Sequence, residues 1–80
     1  MQAQDVQSLL MSELEGCEVE VRSEGSHYDI LVIGDMFEGL RPVQKQQAVY
    51  KVINPHIADG SIHAVNIRAF TPAEWQAQSA

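Results

Sequence analysis

Two apolar runs, HYDILVIG at 27–34 and IHAVNIRAF at 62–70, stand on either side of a single helical stretch. That arrangement leaves little topological freedom. Strand, helix and strand in one sheet form a crossover, and if the two strands are neighbours they run parallel with a right-handed connection. Parallel strands begin at the same edge, so His27, which opens the first run, and His63, near the start of the second, are expected on one rim. His63 is followed at a spacing of two by Val65, Ile67 and Ala69, so the period places all four on one sheet face. An imidazole at the edge of a hydrophobic face is the anomaly that a functional reading has to explain.

The rest of the chain supplies the layers around this unit. Residues 4–15 place Val6, Leu9, Leu10 and Leu14 on one helical stripe, and Gly16 suits the end of that helix. CEVEVRS then alternates Cys17, Val19 and Val21 with charged residues, the pattern of a strand with one buried face. SEGS supplies a turn in which Gly25 can take a positive φ, joining this strand to HYDILVIG as an antiparallel hairpin. The second strand is the more continuously apolar and is expected at the centre.

After a turn at DMFEGL, a second helix is expected from Arg41 or Pro42, with Val43, Val49, Tyr50, Ile53 and Ile57 on its buried stripe. Asn54-Pro55 is expected to break it, because a residue before proline resists the α region. A short further turn then runs through His56–Asp59. The third strand is expected over Ile62–Phe70. TPAEW carries a capping box in which Thr71 caps, Pro72 takes the first helical position and Glu74 reaches back, leaving Trp75 to pack a last helix onto the body. The order is αββααβ(α), an α+β domain spanning residues 1–80 with helices on a three-stranded mixed sheet.

Several classes of function find no support. The chain has one cysteine, so no internal disulfide, which suits a reducing compartment. No apolar run approaches the length of a bilayer span, and MQAQDVQSLL lacks the basic start and long apolar centre of a signal peptide, so a cytoplasmic protein without a membrane role is expected. GxSxG, P-loop and GxGxxG signatures are absent, and no nucleophile–base pair can be assembled, so an enzyme is not expected. Net charge is −6, unevenly divided. Residues 1–40 carry one basic residue against nine acidic ones, whereas residues 41–80 carry four basic against two acidic. An acidic chain is a poor general binder of nucleic acid, although Arg41, Lys45 and Lys51 on the second helix offer a local contact face.

Cys17 opens a strand running opposite to the other two and so belongs at the far rim, about 20 Å from the hairpin tip. It reads as a small core residue. Ser26 and His27 form no dyad, since neighbours in a strand face opposite ways. His56 could approach the histidine rim, ranking behind His27. A closed zinc site needs four ligands, and neither a CxxC pair nor a carboxylate cluster completes one. Spacing therefore leaves His63 as either a hydrogen-bonded rim residue or a ligand whose site another molecule completes.

Phe37-Glu38-Gly39, the QKQQAVY run ending at Tyr50, Ile62-His63-Ala64 and the terminal TPAEW together resemble the BolA-like family, most closely its IbaG branch, over nearly the whole chain. The resemblance implies a fold similar to type II KH domains. It also implies a monothiol glutaredoxin of the CGFS type as partner, in a heterodimer that shares a bridging [2Fe–2S] cluster with glutathione. His63 matches the family's C-terminal histidine ligand. A second ligand is implied in the loop between the first two strands, where His27 is the only candidate of the right type, although in some relatives that ligand lies a few positions earlier, where Glu24 stands here. Iron–sulfur trafficking or iron and stress sensing follows as the implied role. The alternative is a KH-like nucleic-acid-binding transcriptional regulator, against which stands the lack of a GxxG loop.

Overall fold

The computed structural model describes residues 2–25 and 27–79, with the Ser79 side chain excepted. In chain order the elements are α1 (Ala3–Glu13), β1 (Glu18–Glu24), β2 (His27–Ile33), a single 3₁₀ turn (Asp35–Phe37), α2 (Pro42–Ala58), β3 (Ala64–Phe70) and α3 (Pro72–Ser79). The sheet order is β1-β2-β3, antiparallel between β1 and β2 and parallel between β2 and β3. The most apolar strand is central, as its composition requires: it alone has a strand on both sides. Gly25 takes φ +62° at the hairpin tip. The turn's other expected residue, Ser26, lies outside the described residues.

Period two divides each strand between the two faces. Val21, Ile30 and Ile67 form one register row and pack with Val6, Leu10, Val49 and Ile53 beneath α1 and α2. The opposite face carries the rows Glu20–Leu31–Arg68 and Arg22–Asp29–Asn66. At one end of that face α3 folds back, and the rings of Phe70 and Trp75 sit 5.6 Å apart in a tilted pair.

Three expectations about this layer need correction. Pro55 does not break α2. The helix continues to Ala58, with the Asp59 N–H bonded to the Pro55 carbonyl at 3.1 Å. The ring stands exposed near the helix end, where water can satisfy the carbonyl one turn back that it leaves unbonded. The buried stripe of α2 is also displaced. Val43 and Tyr50 are 59% and 42% exposed, and Lys45 joins Val49 and Ile53 inside instead. Finally, β3 starts at Ala64 rather than Ile62, which changes where His63 stands.

A histidine rim as the candidate functional site

The hairpin closes with Glu24 opposite His27, and the parallel register then sets His27 beside Ala64. His63 is the residue immediately before Ala64, so His27 and His63 stand at one rim, as the crossover demands. Both are exposed. An open groove of about 590 Å³ lies there, walled by Glu24, His27 and Asp29 on one side and by Ala64 and Asn66 on the other. His27 but not His63 lines that groove.

His63 stands exposed on the lead-in to β3, just outside the strand that carries Val65, Ile67 and Ala69. In that lead-in Ile62 takes a core position, only 1% exposed, while its neighbour His63 is open to solvent. Two bonds fix the lead-in. The Ile62 N–H donates to the His56 carbonyl at 3.1 Å, and the Ser61 N–H donates to Asp59 Oδ1 at 2.8 Å. The Ser61 contact holds the Asp59 carboxyl below the usual range, with a smaller contribution from the charge of His56. Gly60, at φ +85°, supplies a left-handed residue that others adopt only with strain. The backbone of His56 thus positions the rim, while its ring is half-buried at the end of α2.

Among the described residues no group of three or more His, Cys, Asp or Glu side chains is placed to hold a metal. The rim offers two imidazole donors, which fits half of a four-ligand centre. Cys17 lies at the other end of the sheet, one residue before the Glu18–Ile33 pair. Burial, reinforced by the charge of Asp35, pushes its thiol above the ordinary range, which disfavours the nucleophilic thiolate.

The basic face expected on α2 loses its central member. Lys45 is 7% exposed, and its Nζ donates to both carboxylate oxygens of Glu74, at 2.6 and 2.8 Å. A lysine whose charge is consumed inside the protein cannot also neutralise a phosphate. Arg41 and Lys51 remain exposed. The same Glu74 accepts from the Thr71 N–H at 2.8 Å, and the Glu74 N–H donates to Thr71 Oγ1 at 3.1 Å, which completes the expected capping box. Its carboxyl is held below the usual range, first by Lys45 and then by the Thr71 N–H. The signal for this clip was present in the sequence: Lys45, Val49, Ile53 and Ile57 recur at a spacing of four, which places the lysine on the buried stripe.

The family model described as "BolA-like protein" matches residues 3–74. The chain belongs to the BolA-like family. Acid stress protein IbaG of Escherichia coli K12 is 47% identical over 75 residues, covering 94% of this chain and 89% of that protein, which supports the IbaG branch. The DNA-binding transcriptional regulator BolA of Haemophilus influenzae is 36% identical over 58 residues, covering 72% of this chain and 55% of that protein. The fold also matches the solved structure of a BolA homologue from Coxiella burnetii with a TM-score of 0.83 at 23% identity, over 95% of this chain and 97% of that one.

Proposed function

We propose that this protein is a non-enzymatic adaptor that pairs with a monothiol CGFS glutaredoxin and shares a bridging [2Fe–2S] cluster with it, His63 and His27 being its ligands. The observation that carries this reading is the His27–Ala64 register, which brings two exposed imidazoles to one rim. Two donors suit a cluster whose other side is held by a partner cysteine and a glutathione thiol. Imidazole in place of thiolate removes negative charge and raises the cluster's reduction potential, as in Rieske centres. The chain's own contribution is to present two imidazoles, one at the start of β2 and one on the lead-in to β3. Because proton and metal compete for the same nitrogen, the grip can also be released. Such a site suits trafficking or sensing.

The test mixes the protein with a CGFS glutaredoxin, glutathione, iron and sulfide. A heterodimer is expected, with a visible spectrum distinct from that of the glutaredoxin homodimer. His63→Ala alters or abolishes that spectrum without changing the far-UV signal, His27→Ala weakens it, and Cys17→Ser leaves it alone. A wild-type spectrum from the His63→Ala mixture would overturn the reading.

The second reading, nucleic-acid regulation, draws support from the Haemophilus relative. Sequestration of Lys45 by Glu74 weighs against it, because only Arg41 and Lys51 of the proposed face stay available.

A further inference from the structure

The sheet end opposite the histidine rim carries a different surface. Three shallow grooves, of about 210, 220 and 240 Å³, meet at Trp75 where α3 crosses the outer face. Their apolar floor is Leu31 and Ile33, and Glu18, Glu20 and Asp35 stand around them. Arg22 is already paired with Glu20 at 3.0 Å, and Arg68 flanks only the groove nearest Asp29. The surface is therefore apolar in its floor and acidic at its margin.

This surface adjoins a free strand edge. β1 has a neighbour on one side only. Among the described residues no backbone hydrogen bond joins residues 18–24 to any element except β2. Edges of this kind accept an added strand, whose backbone supplies affinity and whose alternate side chains supply choice. Here the outward residues choose by charge: Glu18, Glu20 and Glu24 against the single cation Arg22. A second copy would bring a like-charged strand alongside, which is destabilising, whereas a basic strand would gain opposite-charge cross-strand pairs.

We infer that the β1 edge and the Trp75 grooves form a docking surface for an extended, basic segment of another protein. Apolar residues of that segment would alternate with arginines or lysines. A cationic stem would lie along the half-buried indole with its head at Glu18, gaining cation–π as well as charge attraction. The Trp75 end of this surface lies about 20 Å from the histidine rim along β1, and the far end of the edge, Glu24, also walls the histidine groove, which leaves the ring of His63 outside the surface. The inference therefore does not depend on the cluster reading.

Trp75 is the chain's sole tryptophan, so its fluorescence reports on this surface directly. An eight-residue peptide alternating arginine and valine is titrated in 150 mM salt, beside a glutamate–valine counterpart. Saturable quenching or a blue shift is expected with the basic peptide only. Methylating alternate peptide nitrogens should abolish it, as strand addition requires. Glu18→Lys should weaken binding at least tenfold. Glu13→Lys, the same charge change on α1, should weaken it less than threefold, and His63→Ala not at all. Equal losses from Glu18→Lys and Glu13→Lys would reduce the effect to net charge and overturn the proposal, as would a silent Trp75.

Discussion

At Gly34 the missing side chain is a packing requirement. Its backbone is extended, with φ −168°, so conformation alone would admit any residue. A Cβ built there would stand 2.3 Å from Cys17 Sγ and 3.2 Å from its Cβ, well inside van der Waals contact. Gly34→Ala should therefore destabilise the fold by about 1–3 kcal/mol, the usual cost of overpacking. Adding Cys17→Ala removes the closest contact and should recover much of that loss in urea melts. Non-additivity is the diagnostic, and additive effects would show that the two sites do not press on each other. The raised thiol pKa makes a separate claim about the same residue. At pH 7.5 Cys17 should react with iodoacetamide several-fold more slowly than free cysteine, and unfolding in urea should remove the difference.

At the scale of elements, the last helix is tied to α2 by a charge. Lys45 on α2 and Glu74 on α3 are 29 positions apart in sequence, and their ion pair clips the last helix across the sheet. Glu74 has a folded-state pKa below its unfolded one, so its contribution is full above the ordinary glutamate range and fades as pH falls through the depressed value. Acidification below pH 4 should therefore loosen α3 first, read as a red shift of Trp75 fluorescence, while Glu74→Gln should show the looser signal already at pH 7. The element order, the central strand and the capping box were legible in the sequence because each follows from a local period or a cap, and the parallel direction of β2 and β3 because the crossover between neighbouring strands imposes it. The Lys45 clip was missed because lysine is ordinarily assigned outward on composition, even when its spacing says inward. The core position of Ile62 was missed for a different reason: it depends on a loop bond to the His56 carbonyl, which no strand period encodes. Pro55 is the third case, where position overrode propensity. Since its ring removes an N–H near the helix end, Pro55→Ala should restore a bond to the Lys51 carbonyl. The expected gain is about 1 kcal/mol, or about 4–8 °C in a thermal melt of a domain this size. No change, or a loss, would mean that the proline sets the path of the chain into the Asp59–Ser61 turn.

Over the whole molecule the charge is separated, with the acidic residues gathered in the first half and the net positive charge in the second. Among the described residues no helix is long and apolar enough to cross a membrane. Whether the basic half can hold nucleic acid is a question of number as much as of sign. Each phosphate contact with B-DNA contributes a slope of about −0.9 to log affinity against log salt. With Lys45 committed to Glu74, α2 retains Arg41 and Lys51, so a slope of about −1.8 is the most this face should give on duplex DNA. The acidic remainder of the chain opposes even that attraction at low salt, where its field reaches furthest. Binding should consequently be weak and nearly indifferent to sequence at 150 mM salt, and Lys51→Glu should abolish what there is. Lys45→Glu is the wrong probe, since it would set a carboxylate against Glu74 in the clip and unseat α3 whether or not DNA is bound. A slope steeper than about −4 would require cations that the folded surface does not present on α2. Found together with sequence-selective binding that survives Lys51→Glu, it would place the contact elsewhere on the molecule and favour the regulator reading over the adaptor.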